Sequence, residues 1–267
     1  MVPAKGVKMK ICQPKIEIPS SELLHNYVAP AKFSTEHQQN PLYDIFLNND
    51  TGSIHKWHHY FDIYHKHFQR YIGKKVNILE IGIDRGGSLP MWKKYFGDGV
   101  QVFGIDINPD TKQFEADGIK IFIGDQADRN FMRTLMQTLP KIDILIDDGG
   151  HTTRQQINSF LECYDKIADD GVYLVEDLHT NYWPEYVDSE QTFMEFAKKH
   201  IDYLNAWFFF GEQPTYKNYF SVLGAKPGEC EIDLVPEFTG ITHSMTFYNS
   251  VVVFEKMPQS PPYSERR

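Results

Sequence analysis

The chain has 267 residues, 41% hydrophobic, 24% charged and 14% aromatic, with a formal net charge of −9 at neutral pH, which fits one α/β domain with residues left for an arm or lid. The acidic balance and the lack of a basic stripe argue against a nucleic-acid partner. Three widely spaced cysteines, Cys12, Cys163 and Cys230, read as free thiols of a reducing compartment, and with no signal peptide or long apolar run in view the expectation is a cytoplasmic protein with no membrane contact.

Residues 1–50, punctuated by Pro3, Pro14, Pro19, Pro30 and Pro41, read as an irregular N-terminal arm with a short helix near 21–27. From residue 57 the pattern changes. Trp57, Tyr60, Phe61, Tyr64, Phe68 and Tyr71 recur at three- and four-residue spacings, the mark of an amphipathic helix. His55, His58, His59, His65 and His67 lie in and beside it. They do not share one helical face and no cysteine is near, so packing and surface roles outweigh a zinc site. A further reading has this helix lining a cleft over the main site.

An alternation of strands and helices follows. Strands are predicted at 76–81, 101–105, 119–123, 142–146 and 172–175, with helices at 88–96, 130–139, 154–168 and 189–203. This pattern predicts a Rossmann-like, doubly wound α/β sheet, mostly parallel and covered by helices on both faces. Two last strands at 241–248 and 251–256, joined by a turn at Asn249-Ser250, form a C-terminal antiparallel strand pair. The domain is drawn at 51–257, and residues 258–267 read as a disordered tail.

Ligands of such sheets bind at the carboxyl ends of the strands. The first strand ends in Glu80-Ile81-Gly82-Ile83-Asp84-Arg85-Gly86-Gly87-Ser88. Its glycines allow close backbone approach, but their spacing is not that of a dinucleotide fingerprint, which points away from a pyrophosphate. Asp106 ends the second strand, where a carboxylate can accept from both hydroxyls of a ribose. After the third strand, Asp125 or Gln126 can reach an adenine edge. A glycine loop, a ribose acid and a polar loop on three consecutive strands imply a nucleoside-containing cofactor.

The next two strands end in Asp147-Asp148-Gly149-Gly150-His151 and Glu176-Asp177-Leu178-His179. Adjacent parallel strands bring these endings together, and four carboxylates at one mouth call for a cation. A hard divalent ion, Mg2+ or Mn2+, suits oxygen ligands. Asp148, Glu176 and Asp177 are the expected metal ligands, with Asp147 turned toward the cofactor. His151 is the expected general base, with His179 as its competitor. Tyr182 and Trp183, just beyond, are candidate acceptor contacts. The aromatic stretch 207–219 is another, although Phe208, Phe209 and Phe210 read more readily as core strand.

The order ILEIG, GIDIN, IGDQAD resembles class I S-adenosylmethionine-dependent methyltransferases. That resemblance implies that Glu80 and Gly82 line the methionine side, that Asp106 binds the ribose and that Gln126 lies near the adenine; Ser88, which can cap the helix after the glycine loop, is a further expected cofactor-binding residue. DDGGH followed by VEDLHTNYWPEY is similar to the metal-dependent sugar O-methyltransferases of macrolide antibiotic pathways, the mycinamicin and macrocin type, over about residues 52–257. By that resemblance Asp148, Glu176 and Asp177 hold the metal and His151 is the base. Gly150 stands where the family has serine, and the N-terminal region departs from relatives that carry an auxiliary domain.

The expectation is therefore S-adenosylmethionine- and metal-dependent O-methylation of a small-molecule hydroxyl, a sugar above all, by a homo-oligomer. A catechol or other phenol is the nearest rival acceptor. A non-catalytic cofactor-binding scaffold is a rival of another class, which the costly acidic cluster disfavours, as the glycine spacing disfavours a nicotinamide oxidoreductase.

Overall fold

Short runs, the central ones rich in Ile and Leu and buried on both faces, build a sheet whose strands follow the order β3-β2-β1-β4-β5-β7-β6. The structure, a computed structural model, describes residues 39–208, 236–262 and 265–266. The strands are β1 Val76–Ile81, β2 Val100–Asp106, β3 Ile119–Ile123, β4 Ile142–Asp147, β5 Ile167–Val175, β6 Thr242–Tyr248 and β7 Val251–Lys256. β1 to β5 are parallel, and the β6–β7 hairpin joins antiparallel to β5. The reversal of strand order between β1 and β4 opens the crevice where ligands bind.

Seven α-helices surround the sheet among the described residues: α1 Pro41–Leu47, α2 Tyr60–Phe68, α3 Ser88–Phe96, α4 Arg129–Thr138, α5 Thr153–Cys163, α6 Phe193–Leu204 and α7 Glu237–Ile241. Side chains of one strand alternate between two cores. Ile144 and Ile146 of β4 join Tyr64, Phe68, Trp92 and Phe96 on the face covered by α1 to α3. Leu145 of the same strand joins Phe160, Tyr173, Phe193 and Phe254 on the face covered by α4 to α6.

The elements depart from the sequence expectation at their edges. Within the stretch read as an irregular arm, residues 41–47 form a helix. Asn40 caps it, accepting from the backbone N–H groups of Leu42 and Tyr43, and its amide donates to the carbonyl of Phe61. Asn followed by Pro at the first helical position is a start signal that the density of prolines obscured. The other readings made for residues 1–38, including the helix near 21–27, lie outside the described residues. So do Cys12, Cys230 and positions 209–219 of the aromatic stretch.

The helix expected from Trp57 begins only at Tyr60, and Trp57 stays exposed. The helix expected over 154–168 stops at Cys163. After one 3-10 turn β5 starts at Ile167, earlier than expected, through a register irregularity between Ile142 and Ile144. The helix expected from 189 starts after Thr192, whose hydroxyl caps the N–H of Glu195. Ser189 and Asp188 are instead engaged with Thr153. Beyond β7, residues 258–262 carry no helix or strand, although the N–H of Gln259 bonds to the carbonyl of Gly240.

Phe254 is fully buried, with ring contacts to Phe160, Tyr164, Tyr173, Phe193 and Phe238. Phe254→Ala is expected to lower the unfolding free energy by about 3–5 kcal/mol. Denaturant titration checks this, with a shifted midpoint at unchanged slope.

Candidate active site

The carboxyl ends of the four central strands are stitched together by backbone. Gly82 N–H donates to Ile105, Asp148 N–H to Ile81 and Glu176 N–H to Asp147, at 2.8–2.9 Å. With Asp147 registered on Val175, the paired endings Asp147-Asp148 and Glu176-Asp177 lie side by side. Gly82 has φ +85°, and a Cβ there would lie 2.1 Å from the Asp148 carbonyl oxygen. Only glycine lets the β1 loop pass so close to the β4 loop.

One cavity of about 430 Å³ runs along these ends. Gly82, Asp84, Ser88, Asp106, Asp125 and Gln126 line one part of it; Asp148, His151 and Asp177 line another, and Lys56 also borders it. Asp106 organises the first part. One of its oxygens accepts from the N–H groups of Ile83 and Asp84, the other from Asn108. The oxygen facing Asn108 keeps a lone pair for a further donor, while the other is already engaged twice.

Three residues expected at the cofactor sit deeper. Glu80 is fully buried beneath the cavity, accepting from the Ser88 hydroxyl at 2.7 Å. Burial, opposed by Lys56 and Ser88, raises its carboxyl to about 7. Asp147, expected to face the cofactor, does not line the cavity. Strand alternation turns it to the opposite face, where it accepts from Gln126 and burial raises it to about 7. Gln126, expected near an adenine, borders the cavity but spends its amide internally: its nitrogen donates to Asp147 and Ser159, and its oxygen accepts from Gly150 N–H. It braces the DDGGH loop.

At the acidic end, Asp148, His151 and Asp177 each offer one ligand atom, all within 4.8 Å of one another. His151 Nε2 is 3.5 Å from Asp177 and 4.0 Å from Asp148. Its Nδ1 has no hydrogen-bond partner among the described residues. His151 (φ 60°), Asp177 (φ 54°) and Asp84 (φ 44°) all have left-handed backbone, a conformation costing non-glycine residues of order 1 kcal/mol or more and concentrated at functional sites.

Glu176, expected as a third metal ligand, is held otherwise. It is fully buried, and its oxygens accept from Tyr64 at 2.6 Å and from Lys56 at 3.0 and 3.1 Å. Lys56 also reaches Asp148 at 2.5 Å and lies 3.8 Å from Glu80. Burial alone would discharge this lysine, but the three carboxylates outweigh it and hold the ammonium charged. Burial and Asp148 push the Glu176 carboxyl up, against Lys56 and Tyr64.

Lys56 is the residue the sequence reading missed. Its signal was a lone lysine in HKWHHY, the segment entering the domain, given four carboxylates in need of a counter-charge. The histidines around it do not converge. His58 meets Tyr43, His59 the carbonyl of Asn249, His65 Tyr95, and His67 Tyr248 and Glu255. Helix α2 instead faces the acidic end through Tyr60, which donates to Asp177, and through Tyr64. His179, the competitor for the base, has its Nδ1 2.7 Å from the Ser250 hydroxyl. Tyr182 and Trp183 are exposed and do not line the cavity, although Trp183 packs edge-on to His179 at 4.8 Å. Cys163 is a buried free thiol, and no helix among the described residues is long and apolar enough to cross a membrane.

No protein-family profile matches the chain. It is 35% identical over 163 residues to the 8-demethyl-8-alpha-L-rhamnosyl tetracenomycin-C 2'-O-methyltransferase of Streptomyces olivaceus, covering 56% of this chain and 43% of that protein. It is 35% identical over 154 residues to the demethylmacrocin O-methyltransferase of Streptomyces fradiae, covering 55% and 38%. The chain spans less than half the length of these curated relatives. Among solved structures, the methyltransferase MycE of the mycinamycin biosynthetic pathway, in complex with Mg and SAH, matches with a TM-score of 0.67 and 26% identity, over 81% of this chain and 54% of that one. The fold is the Rossmann-like fold of class I methyltransferases. In sequence the chain is similar to the sugar O-methyltransferases of macrolide and tetracenomycin pathways.

The raised Glu80 carboxyl gives a pH signature. Its folded value of about 7 exceeds the ordinary 4.5, so the folded state binds the extra proton. This group's contribution to stability is full below pH 4.5 and lost as pH rises through 7. Glu80→Gln keeps an acceptor for Ser88 and removes the charge, so unfolding curves from pH 4.5 to 8 are expected to show a flatter dependence than those of the unchanged protein.

Proposed function

We propose that the protein transfers the methyl group of S-adenosylmethionine to a sugar hydroxyl of a glycosylated small molecule, using a divalent ion, Mg2+ or Mn2+. The observation that carries this reading is one continuous cavity with two chemically different ends, a glycine loop with Asp106 at one and Asp148, His151 and Asp177 at the other. Its volume falls in the range of small-molecule sites, about 300–1,000 Å³. The likeness to sugar O-methyltransferases, and to a structure containing Mg and SAH, agrees with both ends.

The donor sets fit these groups. Asp106 presents a carboxylate oxygen to a ribose, and the glycine loop supplies close-packed backbone. Asp148 and Asp177 are the carboxylates we assign to the ion, and their oxygens suit a hard cation. The ion, when bound, would acidify a hydroxyl placed on it. His151 takes the hydroxyl proton at Nε2, the nitrogen nearest the two carboxylates, and Asp177 at 3.5 Å stabilises the imidazolium. S-adenosylmethionine, when bound, would supply the methyl group to the deprotonated oxygen, the O–C bond forming as the S–C bond breaks. Trp183 and Tyr182, exposed beside this end, offer faces for a sugar ring or its aglycone.

A second reading follows from the 4.8 Å spacing that includes His151: the histidine serves as a ligand rather than the base. One set of measurements tests both. Calorimetry with S-adenosylhomocysteine and Mn2+ is followed by methyl transfer from labelled S-adenosylmethionine to rhamnosyl and macrolide-linked sugars, with a catechol as rival acceptor. Asp148→Ala is expected to abolish Mn2+ binding. His151→Gln is expected to lower turnover by about 10²–10⁴-fold, the usual worth of a general base, while binding Mn2+ and S-adenosylhomocysteine as before. Loss of Mn2+ binding in His151→Gln would establish the ligand reading. Failure of the unchanged protein to bind S-adenosylhomocysteine would refute the proposed function.

A further inference from the structure

Residues 52–56 carry no helix or strand, yet Ser53, Ile54, His55 and Lys56 all line the cavity. At its outer end the segment is packed on the glycine loop. A Cβ on Gly87 would lie 2.4 Å from the Ser53 carbonyl oxygen, and one on Gly52 would lie 3.4 Å from the Gly87 Cα. The Asn49 amide donates to the Gly52 carbonyl at 2.5 Å. At its inner end stands Lys56. Its side chain is 4% exposed, and its ammonium bonds to Asp148 and Glu176 with Glu80 at 3.8 Å. The partners come from three strand ends: Glu80 from β1, Asp148 just after β4 and Glu176 just after β5.

We propose that Lys56 is a positioning residue: it is the resident cation that holds the acidic end assembled before any divalent ion arrives, and by the same contacts it fastens residues 52–56 as a wall of the cofactor cavity. This rests on the proposed function, since it takes the cavity to be the S-adenosylmethionine site. Buried carboxylates of like charge drive one another apart unless a cation lies between them. Lys56 supplies that charge from the chain itself. An aspartate of the divalent site, Asp148, is one of its partners, so the lysine and the ion serve the same group of carboxylates. Without Lys56 the strand ends lose their common counter-charge and the wall loses its inner anchor.

The test is calorimetric titration of S-adenosylhomocysteine in EDTA and again with Mn2+, on the unchanged protein, Lys56→Met and the double variant Lys56→Met/Glu176→Gln. Thermal unfolding monitors the fold of each. The unchanged protein is expected to bind S-adenosylhomocysteine in EDTA. Lys56→Met is expected to bind it at least about tenfold more weakly, within the cost of breaking one buried charge pair. Mn2+ is expected to restore part of the loss in Lys56→Met, because an ion at Asp148 replaces the missing charge; a residue needed only for folding would show no such rescue. If Lys56→Met does not fold, the double variant, with one fewer buried charge, takes its place, and weakened binding in EDTA is again the supporting result. Affinity equal to that of the unchanged protein, in whichever variant folds, overturns the proposal. Lack of binding by the unchanged protein overturns the proposed function instead.

Discussion

The register between β4 and β5 sets the electrostatic problem that the rest of the domain answers. Parallel pairing of Asp147 with Val175 places two acidic dipeptides at neighbouring strand ends. Alternation then sorts them. Asp147 turns under α5, where one of its oxygens accepts from Gln126 and the other has no hydrogen-bond partner among the described residues. Glu176 turns toward α2 and is met by Tyr64 and Lys56. Asp148 and Asp177 remain at the cavity with His151. Two carboxylates are thus absorbed by the scaffold and two are left lining the cavity. A buried carboxylate is tolerated only with hydrogen bonds or a counter-charge, and each of the two absorbed ones has such partners.

Those partners arrive from elements distant in sequence. Helix α2 contributes Tyr60 and Tyr64, and the loop before it Lys56. The β6–β7 turn contributes Ser250, also in a left-handed conformation, whose hydroxyl lies within hydrogen-bond reach of Tyr60 and of His179. The aromatic packing of Tyr64 against Phe68 and Trp92 fixes the rotamer that carries its hydroxyl to Glu176. The high aromatic content of the chain therefore serves two ends: rings fill the cores on both faces of the sheet, and tyrosine hydroxyls terminate the acidic network.

The sheet was legible in the sequence because a buried parallel strand is a short apolar run, and five such runs alternated with helical stretches. Residues 76–81, 119–123 and 251–256 match the observed strands. The start of β5 was not legible, since Ile167 and Ala168 continue a helical periodicity and only the irregular pairing with β4 decides otherwise. At the site, the loops could be placed after strands from the sequence, which is why Gly82, Asp106, Asp148, His151 and Asp177 fall on one cavity. Which face each residue takes was harder. Asp147 and Asp148 are adjacent in sequence, and only the pleat distinguishes the buried from the presented carboxylate. Gln126 looked like a ligand residue because it follows a strand, but its three hydrogen bonds are all internal. Lys56 could not be located by strand-end reasoning at all, because it lies on a segment outside the β-α alternation.

The backbone reinforces the same division. Asp84, His151 and Asp177, three of the non-glycine residues with left-handed φ, all border the cavity. In an ordinary extended conformation Asp177 would continue the alternation of β5 and point away from its neighbour's carboxylate. The left-handed turn swings it back toward His151, and Tyr60 holds it there at 2.7 Å. His151 makes the matching departure between β4 and the capping box of Thr152 and Gln155 that starts α5. Strain at both residues is sustained by fixed neighbours: a strand end on one side, and a capped helix or a tyrosine hydroxyl on the other. Two carboxylates and an imidazole within a few ångströms have this geometry built into the main chain, so side-chain rotamers alone are not asked to overcome the repulsion.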